Sequence, residues 1–141
     1  MTIVAAVDRT ERASAVVREA DRLARAFGEP VHAVHVLTRS EFVGLERTSV
    51  DDTGAAVHPD RVREIAAEIA AETTADLDVP VEAVGLMGDP ADRIVEYAAD
   101  TDARYIVSAA RKRSPTGKAV FGSVTQGILL NADCPVVTTT H

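Results

Sequence analysis

Five short apolar runs rich in β-branched residues recur along this chain: "TIVAAV" (2–7), "VHAVHVL" (31–37), "VPVEAVGL" (79–86), "ARYIVSA" (103–109) and "PVVTTT" (135–140). Apolar runs of strand length with little alternation belong to strands covered on both faces, the habit of a parallel sheet with helices above and below it. The stretches between the runs carry helical spacing. In 11–27, Ala13, Val16, Val17, Ala20, Leu23, Ala24 and Phe27 fall on one face, Arg12, Arg18, Glu19, Arg22 and Arg25 fall largely outside it, and Gly28 stands where a helix would end. A second helix over 59–75 puts Val62, Ile65, Ala66 and Ile69 on one stripe. "GDPADRIVEYA" opens a third, with Asp89 as N-cap, Pro90 in the first turn and Asp92 at the positive end of the dipole. The fourth begins at Gly122-Ser123 and directs Val124, Ile128 and Leu129 inward.

The alternation β-α-β-α-β-α-β-α-β predicts an α/β fold: a doubly wound, Rossmann-like, five-stranded, mostly parallel sheet with helices on both faces and right-handed crossovers. At 141 residues the chain is read as one domain, 1–141. Residues 38–57 make a longer connection than compact α/β domains use, and are read as a mobile surface loop, with a functional flap as the alternative.

The formal charge of −7 is spread along the chain, which argues against general nucleic-acid binding. The apolar runs are too short to span a bilayer, and "MTIVAAVDRT" has neither a basic head nor a long apolar stretch, so a cytoplasmic protein without membrane insertion is expected. Cys134 is the single cysteine and leaves no internal disulfide or cysteine-based metal site; before Pro135 it reads as a small apolar filler. Two lysines among 15 basic residues, with abundant Asp, Glu and Ala, give a composition of halophilic type.

Open α/β sheets bind ligands at the carboxyl ends of their strands. That rule selects Ala6-Val7-Asp8, His35-Val36-Leu37, Met87-Gly88-Asp89 and the stretch after the fourth strand, "SAARKRSPTGKAVFGS" (108–123). In so acidic a chain this stretch holds Arg111, Lys112, Arg113 and Lys118 and no acid, and it closes on Gly122-Ser123 at a helix start. Unpaired N–H groups, a hydroxyl and four cations together suit a phosphate; a solvated basic loop is the plainer alternative. A P-loop would need glycine at 112 and Ser or Thr at 119, where Lys112 and Ala119 stand. His32 and His35 lie three apart on a strand and so face opposite ways, which bars a shared metal. His58 ends the long connection, and a Ser123, His35, Asp8 hydrolase triad is disfavoured because only His35 lies even roughly on that edge. A receiver-type phosphoacceptor site would need paired acids after strand one, but Arg9 follows Asp8.

Through "FGSV", "CPVV", the terminal aspartate of strand one, "HV" at the end of strand two and "GDPADRIVEYA", the whole chain resembles the universal stress protein family, whose nucleotide-binding members carry G-x2-G-x9-G-[ST] after strand four. The resemblance implies that Asp8 and Val36 match positions lining adenine and ribose, and that Gly122 and Ser123, followed by Val124, match those holding phosphates. The first two motif glycines fall on Ala109 and Lys112: the methyl of Ala109 stands where backbone would approach the nucleotide, and Lys112 is restricted if φ must be positive. The side chains of Lys112 and its neighbours can replace those close contacts with charge. The candidate contacts are therefore Ala6, Val7, Asp8, Val36, Ser108, Ala109, Arg111, Lys112, Lys118, Gly122, Ser123 and Val124.

The expected function is a stress-response or regulatory module that binds ATP or AMP, with Mg2+ carried by the phosphates. Slow hydrolysis at most is expected, since no general base can be named. The resemblance also implies a homodimer joined through the last strand, which would cover a short apolar edge. A protein of the same fold that binds no nucleotide and docks an acidic protein partner with its basic stretch is the alternative.

Overall fold

In the computed structural model, which describes residues 1–53, 58–110, 112–113 and 116–140, the apolar runs become β1 (Thr2–Ala6), β2 (Val31–Leu37), β3 (Val81–Met87), β4 (Ala103–Ala109) and, after a short hairpin of β5 (Lys112–Arg113) and β6 (Ala119–Val120), β7 (Val136–Thr139). The main sheet has the order β3-β2-β1-β4-β7, and every pairing in it is parallel. Helices α1 (Arg12–Phe27) and α3 (Pro59–Thr73) cover one face, while α4 (Pro90–Asp100) and α5 (Ser123–Asn131) cover the other. This is the doubly wound sheet expected of the sequence pattern.

Strand alternation sorts the core into two layers. Ile3, Ala5, Val7, Val31, Ala33 and Val107 pack under α1, while Val4, Val34, Val36 and Ile106 pack under α4 and α5. The helices end where local chemistry requires. Gly28 stops α1 at φ 65°, a left-handed conformation that costs glycine little, and donates its N–H to Ala24 O. Asp89 accepts the Asp92 N–H at 3.0 Å and caps α4, and Pro90 follows in the first turn. His58 caps α3 by accepting the N–H of Asp60. At the amino end of β4 Arg104 donates to Glu29 at 2.8 Å and lies 4.5 Å above the Phe27 ring; this hydrogen bond is the main cause holding the Glu29 carboxyl below its ordinary pKa.

Three expectations need correction. The 38–57 connection is not a loop over most of its length: α2 occupies Arg39–Thr53, while residues 54–57 lie outside the described residues. Its start is a capping box. The Thr38 hydroxyl accepts the Glu41 N–H at 3.2 Å, and Glu41 Oε1 accepts the Thr38 N–H at 3.3 Å and its hydroxyl at 3.1 Å. Phe42 and Leu45 then anchor the helix on Leu37, Val62 and Ala66. In α5 only Ile128 of the three expected core residues is buried; Val124 is 36% and Leu129 44% exposed, because the short helix presents Thr125 and Ile128 to the sheet instead. Phe27 is also partly exposed and is covered by Arg104 rather than by the core. Among the described residues no helix is long and apolar enough to cross a membrane.

Close helix–sheet contact depends on Gly85. A Cβ built there would stand 1.9 Å from Arg63 O and 2.5 Å from Ala67 N, both backbone atoms of α3 that cannot swing aside. Gly85→Ala is therefore expected to lower the unfolding free energy by about 3 kcal/mol or more in a urea titration, since overpacking against backbone forces a helix to shift; an unchanged midpoint would refute the close packing of α3 on β3. Thr38→Ala is expected to cost about 1 kcal/mol and to speed amide exchange at Glu41 and along α2 while the sheet amides stay protected. Equal exchange in both proteins would show that the capping box is not what starts α2.

Candidate functional site

The chain leaves β1 over one face, through α1 to β2, and reaches β4 over the other, through α4. Where the two helical layers part, above the carboxyl ends of β1 and β4, the sheet carries a cleft of about 430 Å3. Ala6, Val7 and Asp8 from the end of β1, Val36 from β2, Ser108 and Ala109 from β4, and Gly122, Ser123 and Val124 from the start of α5 all line it. Nine of the sequence-selected residues thus meet at one place. Lys118 is exposed and does not line the cleft; Lys112 pairs with Val120 in the hairpin ladder, and Arg111 lies outside the described residues.

Each wall has a definite cause. Asp8 Oδ1 accepts the Thr10 N–H at 2.8 Å and its hydroxyl at 2.5 Å, a local turn that leads the chain into α1. His35, 6% exposed, has Nδ1 2.8 Å from Val7 O. A carbonyl only accepts, so Nδ1 carries the proton and ties the β1 exit to β2. Its Nε2 is buried without a hydrogen-bond partner. His32, on the opposite face, has Nδ1 2.6 Å from the Tyr97 hydroxyl. Gly122 is the N-cap of α5 at φ −73° with no side-chain cap, so the first-turn N–H groups of the helix are left for solvent or a ligand. Behind them Thr125 donates to Ala109 O at 2.7 Å and lies 2.8 Å from Ser108 Oγ.

The backbone objection to Ala109 and Lys112 does not arise in this structure. Among the described residues Asp102 is the one non-glycine at positive φ, and Lys112 is extended in its ladder, so neither position requires glycine for its dihedrals. Close approach is a separate matter, and the Ala109 methyl still borders the cleft.

Sequence reading missed part of the lining: Arg12 and Ala13 at the start of α1, Thr38 and Glu41 around the start of α2, Pro90 and Ile94 of α4, and Thr125. Arg12 and Asp92 both looked like ordinary polar positions of a first helical turn, yet only Arg12 borders the cleft. Thr38 and Glu41 were legible as the T-x-x-E pattern of a capping box. Cys134 packs against the α4 side of the core, and burial pushes its thiol pKa up.

The arrangement offers an apolar slot between β1, β2 and α4, a helix N-terminus at one side, and cationic residues in the segment joining β4 to α5. A flat apolar group bearing an anionic tail matches it. A model of the universal stress protein family matches residues 1–139. A solved universal stress protein structure from Archaeoglobus fulgidus is 36% identical, with 98% of this chain and 97% of that chain covered and a TM-score of 0.64. A structure of the universal stress protein from the same organism in complex with dAMP is 28% identical, with coverages of 98% and 96% and a TM-score of 0.61. A stress response protein of Bacillus subtilis is 34% identical over 84 residues, 57% of this chain and 48% of that protein, so the match spans about half of that relative's length.

Proposed function

The chain belongs to the universal stress protein family, and from that premise we propose that it is a single-domain, cytoplasmic stress-response module that binds an adenine nucleotide, ATP or AMP, in the cleft above β1 and β4. The observation that carries the reading is the convergence of Asp8, Val36, Ala109 and the uncapped start of α5 on one cleft at the switch point of the sheet. The dAMP complex of the Archaeoglobus fulgidus protein supports the choice of adenine. Val36 and Ile94 provide apolar surface for the base, and the first turn of α5 with the Ser123 hydroxyl provides donors for phosphate oxygens. Arg111, Lys112 and Lys118 add longer-range attraction in place of the backbone approach that motif glycines would give. Among the described residues no group of three or more His, Cys, Asp or Glu side chains is gathered for a metal. Mg2+ would thus enter with the phosphates, with Asp8 and Glu41 the carboxylates bordering the cleft. No general base is assigned, and the role is regulatory binding rather than rapid turnover.

The replacement of two motif glycines by Ala109 and Lys112 favours a second reading, in which the basic stretch docks an acidic protein and the cleft binds no nucleotide. Thermal unfolding of nucleotide-stripped protein with ATP, AMP or no ligand separates the two, because a ligand that binds only the folded state raises Tm with its concentration. The expected result is a rise with both nucleotides that Ser123→Ala reduces. No rise at saturating ATP in low salt would defeat the nucleotide reading and leave the docking one.

A homodimer formed by pairing of β7 with a second copy belongs to the same proposal. Strand β7 is the last in the order of the sheet, and α5 beside it in sequence exposes Leu129 and, to 83%, Leu130. Light scattering over a dilution series is expected to give twice the chain mass at high concentration; a single-chain mass throughout would end the dimer claim.

A further inference from the structure

Threonine inside a helix usually turns its hydroxyl back to its own preceding turn or out to water. Thr125 does neither. It lies in the first turn of α5, is 4% exposed, and donates across to Ala109 O at the end of β4 at 2.7 Å. Its one hydrogen is used there, so the 2.8 Å contact with Ser108 Oγ, also 4% exposed, is a bond that Ser108 donates and Thr125 accepts. The N–H on the other side of the same peptide, that of Ala110, donates to Thr139 O of β7 at 2.7 Å. The peptide joining Ala109 to Ala110 is therefore gripped at both polar ends, its carbonyl by α5 and its N–H by the edge strand. This is the peptide through which the chain leaves the sheet and enters the basic stretch, and it lies where the first glycine of the family motif would stand.

We infer that Thr125 is a positioning residue: it locks the start of α5 to the exit of β4, so that the first-turn N–H groups of the helix face a phosphate from a fixed direction. The inference rests on the nucleotide reading of the cleft. Thr125 touches no ligand in this role; it acts through Ala109 and through the placement of Ser123 and Val124. A chain without glycine at 109 gains from such a lock, because the alanine methyl narrows the approach to the backbone and leaves the helix N-terminus to bind the phosphate. A fully satisfied, buried hydroxyl pair holds one geometry where a half-satisfied pair would not.

Isothermal titration with ATP, AMP and adenosine, run on the wild-type chain, Thr125→Val and Thr125→Ser, tests this together with amide exchange of the unliganded proteins. Thr125→Val keeps the shape and removes the donor. It is expected to weaken ATP and AMP about tenfold while adenosine changes by no more than about twofold, and Thr125→Ser is expected to restore both phosphate-bearing ligands. Exchange at Ala110 and at Gln126 is expected to quicken in Thr125→Val and to return to the wild-type rate in Thr125→Ser. Undiminished ATP affinity in Thr125→Val, an equal loss for adenosine, or no restoration by serine would overturn the inference. Should Thr125→Val not fold, Ser108→Ala, which removes only the bond behind Thr125, is expected to give a smaller loss with the same preference for phosphate. Wild-type protein that binds none of the three ligands would refute the nucleotide reading itself; unchanged exchange at Ala110 in Thr125→Val would then refute the lock as well.

Discussion

Parallel strands cannot be joined by tight turns, so each step between neighbours in this sheet sends the chain across one face as a helix. Strand β1 sits in the middle, with β2 reached through α1 on one face and β4 through α4 on the other. The two layers separate above the carboxyl ends of β1 and β4, and the cleft opens between them. The cleft is a consequence of connectivity. What the sequence adds is the lining, in which Val36 and Ile94 keep part of the wall apolar.

The cleft is bordered by a set of buried or local hydrogen bonds. The His35 bond to Val7 O ties the exit of β1 to β2, the Asp8–Thr10 turn fixes the chain as it leaves β1, and the Thr125 bond to Ala109 O ties the end of β4 to α5. These bonds are buried or local, so they are made before any ligand arrives. Beyond β4 the chain enters the basic stretch, whose strands β5 and β6 pair over two residues each and whose sequence holds four cations and no acid in a chain of net charge −7.

The described helices are held by contrasting means. Helix α3 lies so close to β3 that only glycine fits at 85, and α4 meets α5 at Gly127, where an added Cβ would stand 2.7 Å from the Cβ of Ala91. Helix α2 is held through a capping box and through Phe42 and Leu45, and its start lies beside Thr38 and Glu41, two residues on the rim of the cleft.

Much of this was legible in the sequence because it rests on local rules. The five strands, the stop at Gly28, the cap at Asp89 and the start of α5 at Ser123 follow from periodicity and end chemistry, and the strand-end rule selected Asp8, Val36 and Gly122. Helix α2 was missed because length and polarity spoke louder than the four-residue pattern at Thr38–Glu41. Arg12 and Thr125 were missed for a different reason: each looks like an ordinary helical residue, and its place at the cleft depends on which strand its helix packs against. The order and approximate ends of the five main strands and of α1, α3, α4 and α5 were thus determined by the sequence alone, since backbone propensity and apolar spacing act over a few residues. Only the tertiary structure decided which of those ends face one another, how the peptide after Ala109 is held, and that Val124 lies at the cleft rather than in the core, because those outcomes depend on contacts between segments far apart in the chain.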